Sequence, residues 1–393
     1  MCSSDLFFIF QAVFSWATVP MEIIKSSVEY LGGQISELLP DTLLRSLLID
    51  GILAGLGGVV IFLPQILILF FFILLLEESG YLPRAAYLLD RVMGSVGLSG
   101  RSFIPLLSSF ACAIPGIMAT RSISNSRDRL VTILIAPMMT CSARLPVYAL
   151  LISAFIPQQK LWANIDLQGL VLFLLYLAGI LGAMGVAWVL KRFASGQFRT
   201  NVLMMELPSY HLPRLGNLAI SLWQRAEIFL RRVGGVILVM TIGLWVLSSF
   251  PLPPEGATLP PIQYSFAGML GEALANIFSP IGFNWQISIA LVPGMAAREV
   301  VVSSLATVYA LSSSSADAAE ALIPLISGDW SLATALSLLA WFVFAPQCLS
   351  TIAAVKRETG GWKVPAVMLS YLFGLAYIAS FITYRIAIYF GLG

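Results

Sequence analysis

The chain has 393 residues, of which 59% are hydrophobic and 11% charged, and a formal net charge of +2. Soluble domains carry about 25% charged residues, so a water-soluble globule of this length is excluded. With no basic patch interleaved with aromatics, nucleic-acid binding is excluded as well.

Met1–Leu6 has neither apolar nor basic logic. It reads as a translated adapter scar, set against the alternative of a short genuine start. Residues 7–50 then comprise a partial first membrane helix, Phe7–Val19, and an amphipathic outer segment, Met21–Asp50, with Glu22, Glu29, Glu37, Asp41 and Asp50. Further apolar runs lie at Gly51–Leu76, Leu130–Phe155, Leu167–Leu190, Val233–Phe250, Trp330–Val355 and Val364–Phe390. Each approaches or exceeds the roughly 20 residues that cross a bilayer. Hydrocarbon offers the backbone no hydrogen bonds, so these runs are predicted helices and the fold all-α and polytopic.

Two apolar stretches differ from the rest. Ser102–Thr120 contains Pro115-Gly116 and Trp285–Ala310 contains Pro293-Gly294. Proline removes a helix donor, so both are predicted to be broken or re-entrant. Lysine and arginine set the orientation. Residues 191–232 carry Lys191, Arg192, Arg199, Arg214, Arg225, Arg231 and Arg232 and form a cytoplasmic linker. Pro251–Gln286 and Leu311–Asp329 carry neither and face outward. Arg101 and Arg121 flank the first break on the inside, the mirror image of the second.

Residues 51–190 and 233–393 thus form two repeats of opposite topology. Ile114-Pro-Gly-Ile-Met-Ala-Thr-Arg121 pairs with Val292-Pro-Gly-Met-Ala-Ala-Arg298. Ile135-Ala-Pro-Met-Met-Thr-Cys141 pairs with Phe344-Ala-Pro-Gln-Cys348. Short matches of this kind arise by chance in apolar sequence. Two in order, with mirrored charge flanks, favour a real repeat. Inverted repeats with broken helices mark alternating-access transporters, with the substrate site at the breaks.

Three thiols stand at these breaks. Cys112 precedes Pro115, Cys141 follows Pro137 and Cys348 follows Pro346. Each proline frees carbonyls in the preceding turn. Sulfur beside oxygen suits a borderline divalent transition metal. The bland alternative is cysteine as an inert small core residue. Glu299, Arg298 and Arg144 lie in apolar stretches and Glu77 and Glu78 end one, and intramembrane charges default to function. Glu77 and Glu78 read equally well as interface residues. Met138, Met139 and Met295 are thioether candidates that more often fill gaps. His211 is the only histidine and lies in the linker, and no G-x-x-x-x-G-K-[ST] or H-E-x-x-H occurs. No catalytic set is visible, so an enzyme is not expected.

The sequence resembles the membrane region of the ferrous iron transport protein B family (FeoB). The resemblance runs in family order over most of Gly51–Lys363. It is carried by Gly57-Gly-Val-Val-Ile-Phe-Leu-Pro-Gln65, Leu76-Glu-Glu-Ser-Gly-Tyr81, Gly97-Leu-Ser-Gly-Arg-Ser-Phe-Ile-Pro-Leu-Leu-Ser108 and Pro115-Gly-Ile-Met-Ala-Thr-Arg121. Cys141-Ser-Ala-Arg-Leu-Pro-Val-Tyr148, Glu206-Leu-Pro-Ser-Tyr210, Arg298-Glu-Val-Val-Val302 and Arg357-Glu-Thr-Gly360 complete it. The resemblance implies paired gate-type repeats and Fe²⁺ uptake across the bacterial inner membrane. It implies a transient metal path past Cys112, Cys141 and Cys348, with Glu299 and Glu77 supplying negative charge. Family members often have Cys-Asn where this chain has Cys112-Ala113, which removes a side-chain oxygen there. The family also has an N-terminal GTP-binding domain, lacking here, so GTP and Mg²⁺ are expected only where that domain is present and no cofactor is expected in this chain. The implied partners are that domain, small accessory proteins of the transport system, the lipid bilayer and a homo-oligomer. The competing readings are a gate-type carrier of another small solute, nucleoside-like, and a membrane scaffold that transports nothing.

Overall fold

The computed structural model describes residues 2–40, 42–95, 97–157, 159–161, 165–193, 215–252, 264–295, 298, 300–309, 315–346 and 348–392. They are helical almost throughout, with one two-residue antiparallel pairing of Lys160-Leu161 and Ile165-Asp166. Helix α1 (Cys2–Leu38) runs unbroken through Pro20, so the partial first helix and the amphipathic segment share one element. The short α2 (Leu43–Ser46) leads through a π-helical turn, Leu47–Leu53, into α3 (Ala54–Glu78). Then come the amphipathic α4 (Tyr81–Ser95), α5 (Phe103–Ala111), α6 (Ala113–Ala119), α7 (Ser126–Ile135), α8 (Leu145–Phe155) and α9 (Leu167–Phe193).

The second half begins with α10 (Leu215–Phe229), which passes through a π-helical turn, Leu230–Gly234, into α11 (Gly235–Ser249). The expected linker thus ends as helix continuous with the next apolar run. His211 lies outside the described residues. Further on are α12 (Phe266–Phe278), α13 (Trp285–Gly294), α14 (Val300–Val308), α15 (Ser315–Asp329), α16 (Leu332–Phe344), α17 (Leu349–Thr359) and α18 (Lys363–Tyr389). Side-chain caps start several of these helices. Asn125, Ser265, Asn284 and Ser331 accept from backbone N–H groups of α7, α12, α13 and α16. Such caps fill donors that a first turn leaves open.

Among the described residues, four segments are long and apolar enough to cross a membrane: Leu43–Leu76, Leu167–Arg192, Leu332–Thr359 and Lys363–Tyr389. A pair bent by 111°, Phe266–Ile281 with Trp285–Gly294, makes a fifth. The chain is a multi-pass membrane protein. It divides into two compact units, with the division at Leu88 inside α4. One unit gathers α1, α2, α3, the first half of α4, α10 and nearly all of α11; the other holds the rest of α4 and the remaining helices. Each unit therefore takes helices from both sequence halves.

In the first unit, Trp245 Nε1 donates to Ser46 Oγ at 2.9 Å, and Thr241 packs on Gly55. The larger unit has two apolar clusters. One joins Leu151 and Tyr148 of α8 to Ile287, Leu305 and Trp341. The other joins Ile117 and Ile133–Met139 to Ile352, Val355 and Leu372.

Two expectations of single straight helices are corrected. Leu130–Phe155 is interrupted between Ile135 and Leu145, and Trp330–Val355 between Phe344 and Leu349. Only Pro137 and Pro346 betray the interruption, because each lacks the N–H a continuing helix would use. The first Pro-Gly break is also displaced. The chain turns at Cys112, and Pro115 falls in the first turn of α6, where no helix donor is required. Helix α12 lies in a stretch read only as an outward-facing connection.

Both Pro-Gly stretches fold back on themselves. A Cβ on Gly116 would stand 2.7 Å from Pro105 O and overlap Ser109 Oγ. A continuous helix would separate residues 105 and 116 by about 16 Å. Thus α5 and α6 form a hairpin with Cys112 at its tip. Gly294 lies similarly against Val301, so α13 and α14 form a second hairpin.

Candidate functional site

The two interruptions and the two hairpins all lie in the larger unit. At the first interruption α7 passes into a 3₁₀ turn, Ala136–Met138, and Met139 is extended at φ −62°, ψ 132°. A second 3₁₀ turn, Ser142–Arg144, precedes α8. Residues Val131–Cys141 are buried throughout. The unwound carbonyls do not remain empty. Arg144, wholly buried, donates from Nη2 to Pro137 O at 3.2 Å and from Nη1 to Met138 O at 3.4 Å.

At the second interruption Ala345 is extended at φ −57°, ψ 149°, and Cys348 at φ −161°, ψ 157°. Here the donor comes from the tip of the second hairpin. Arg298, 3% exposed, donates from Nη1 to Phe342 O at 3.0 Å. Its Nη2 donates to Ala345 O at 2.6 Å and Pro346 O at 2.9 Å. The guanidinium also lies 5.6 Å from the ring centre of Phe342. Leu349 N donates to Met295 O at 3.2 Å, tying hairpin tip to interruption.

The sequence flagged both arginines as intramembrane charges, but not their partners. A buried guanidinium keeps its charge and has only donors. Carbonyls at a helix C-terminus are its complement, since they form the negative end of the helix dipole.

Arg298 lies in electrostatic range of Arg144, Cys141, Tyr148 and Cys348. Cys141 is buried and Cys348 partly buried, and neither forms a disulfide. Cys348 Sγ lies 3.1 Å from Thr351 Oγ1. Cys112 is a partly buried thiol at the tip of the first hairpin, with φ −154° and ψ 132°. Thus Cys141 and Cys348 both act electrostatically on Arg298, while Cys112 caps α6 as Cys348 caps α17. Among the described residues no three His, Cys, Asp or Glu side chains come close enough to hold one metal ion.

The remaining candidates stand as follows. Glu299 lies outside the described residues. Glu77 lies in α3, in the other unit, and its side chain is outside the description. Met138 and Met139 are buried core residues, while Met295 is exposed. Sequence reasoning missed Tyr148 and Thr140. Both are buried; Thr140 Oγ1 and Arg144 Nε find no hydrogen-bond partner among the described residues, and Tyr148 OH lies against the Arg144 guanidinium. Tyr148 stands four residues after Arg144, on the same helical face, which was the available signal.

The larger unit also holds ion pairs away from the helix interruptions. Glu358 accepts from Arg121 (2.7 Å) and Arg129 (2.9 Å), and Lys191 pairs with Asp128. A cavity of about 160 Å³ adjoins Arg298, walled by Leu291, Trp341, Phe342, Ala345 and Phe373.

Comparison with known proteins places the sequence. The family profile Gate, described as nucleoside recognition, matches residues 59–155 and 230–362. A second, described as ferrous iron transport protein B C terminus, matches residues 172–225. The Fe(2+) transporter FeoB of Leptospira interrogans is 42% identical over 395 residues, covering 96% of this chain and 56% of that protein. The Fe(2+) transporter FeoB of Staphylococcus aureus is 39% identical over 395 residues, with coverage of 97% and 56%. The Fe(2+) transport protein A/Fe(2+) transporter FeoB fusion protein of Porphyromonas gingivalis is 38% identical over 425 residues, with coverage of 98% and 49%. The chain spans about half the length of the curated relatives it matches. No solved structure matches it.

Proposed function

The chain belongs to the ferrous iron transport protein B family, and on that footing we propose that it is a membrane permease that carries Fe²⁺ across the bacterial inner membrane into the cytoplasm. The carrying observation is that relatives named Fe(2+) transporter match nearly all of this chain. In this reading residues 51–190 and 233–393 are inverted-topology gate repeats, and their broken helices line the path. Cys112, Cys141 and Cys348 bind Fe²⁺ transiently, with Glu299 and Glu77 supplying negative charge. The proximity of Cys141 and Cys348 to one guanidinium supports a shared passage for these two. Cys112, at the tip of the first hairpin, is the third ligand of the path. Ligands arranged in succession, few at each position, suit a path that must release its ion.

No catalytic or cofactor role is proposed for these residues. GTP-driven steps belong to a GTP-binding domain of the full-length protein. The name of the Porphyromonas gingivalis relative supports a small accessory protein as a partner.

The test is ⁵⁵Fe²⁺ uptake, under ascorbate, into proteoliposomes holding the chain. Cys141→Ser and Cys348→Ser should each slow uptake by about tenfold, the effect of losing roughly 1.4 kcal/mol of ligand interaction. Unchanged uptake in both of these variants and in Cys112→Ser would sink the thiol path. The Gate description favours one rival, a nucleoside carrier. Uridine uptake without Fe²⁺ uptake would replace the present reading with it.

A further inference from the structure

Three backbone carbonyls at the end of α16, those of Phe342, Ala345 and Pro346, converge on one cation. That cation is the guanidinium of Arg298. Carbonyls of an interrupted helix, at the negative end of its dipole, are what membrane transporters offer to a passing metal ion. Cys348 lies two residues beyond the last of them. Arg298 therefore occupies oxygen positions that a divalent ion entering beside Cys348 would need.

We infer that Arg298 is a tethered internal cation: it fills the carbonyl cage of α16 in the metal-free state, and an incoming divalent ion must displace it. The inference rests on the proposed metal path and assigns that path a gatekeeper.

Two observations support displacement rather than a fixed brace. A cavity of about 160 Å³ adjoins the guanidinium. Its walls include the rings of Trp341, Phe342 and Phe373, and the guanidinium already stands 5.6 Å from the Phe342 ring. Aromatic faces attract a guanidinium, so the displaced side chain has a receiving site. The exchange is also selective. A monovalent ion offers the cage one charge, as the guanidinium does, and gains little by replacing it. A divalent ion brings twice the charge, and a soft one also gains the Cys348 sulfur. Arg298 thus excludes Na⁺ and K⁺ while yielding to a transition metal.

The test uses the full chain, purified and reconstituted, with Co²⁺ as an air-stable probe. Arg298→Gln removes the competing charge, and Arg298→Lys retains it. Arg298→Gln should tighten the apparent Co²⁺ Kd by about tenfold, and Arg298→Lys should leave it within about twofold of the parent. Arg298→Gln vesicles should also leak K⁺ faster than the parent, and millimolar guanidinium should suppress that leak. Co²⁺ binding no tighter in Arg298→Gln, with K⁺ leak unchanged, overturns the inference.

Should the glutamine variant fail to fold, the parent protein still decides the matter. With ¹⁵N-arginine labelling, and the Arg298 Nε–H resonance assigned from the lysine variant, Zn²⁺ should shift that resonance and speed its solvent exchange. Bound Zn²⁺ with an unmoved resonance overturns the inference. Failure of the Fe²⁺ uptake assay would sink the proposed function alone, because these readouts need metal binding and not Fe²⁺ transport.

Discussion

Arg144 shows what a single buried charge does at a helix interruption. Its two hydrogen bonds engage the carbonyls of Pro137 and Met138, where the backbone leaves the helix. Arg144→Met keeps much of the side-chain bulk and removes the donors. It should cost about 1–3 kcal/mol, the loss of hydrogen bonds from a buried charged donor, read by thermal or denaturant unfolding in detergent. Tyr148→Phe removes a buried hydroxyl whose neighbour is the Arg144 guanidinium. It should change stability by less than about 1.5 kcal/mol, the net worth of one such hydrogen bond, and so by less than Arg144→Met. The charges and thiols of this neighbourhood were legible as residues in apolar sequence. Their grouping was not. Arg298 reaches carbonyls 44 to 48 positions away, a relation no local pattern encodes.

At the scale of elements, hydrophobic runs located α9 and α18 well, because uninterrupted apolar sequence of that length has one solution in a membrane. The same reasoning failed where an apolar run hides a gap, as at Ala136–Arg144. Hydropathy measures the surroundings of a segment, not its hydrogen bonds. The Pro-Gly pairs announced the hairpins but misplaced the first turn by three residues, since proline in a first helical turn is harmless. The closeness of α5 and α6 gives a sharp test. Gly116→Ala places a methyl group against Pro105 O and Ser109 Oγ. It should destabilise by about 1–3 kcal/mol through overpacking. Gly185→Ala, in α9 with nothing near its Cβ position, should not. Equal unfolding midpoints for the two variants would contradict the hairpin.

For the whole molecule, Arg121 and Arg129 share Glu358, and Lys191 pairs with Asp128. The orientation rule for lysine and arginine would put these residues on the cytoplasmic side. The partnership of Arg121 with Glu358 spans 237 positions and joins segments from both sequence halves. Topology should be readable by thiol labelling in a background lacking native cysteines. Ser122→Cys, exposed beside Arg121, should react only from the cytoplasmic side. Ser279→Cys, exposed after α12, should react only from outside. Labelling of both from one side would overturn the mirrored arrangement.

The close approach at Gly116 also sets a timescale for Cys112. With Pro105 O and Ser109 Oγ pressed against that glycine, α5 and α6 have no clearance to slide past one another. The backbone at Cys112 then moves with the hairpin as one body, leaving the sulfur only its own side-chain rotation. Side-chain rotation takes about picoseconds to nanoseconds, whereas collective helix motion takes about microseconds to milliseconds. Any hand-over of an ion that requires Cys112 to change place is therefore paced by the slower motion. Were Fe²⁺ to pass this thiol as proposed, that slower clock would cap turnover even with fast ligand exchange at the metal.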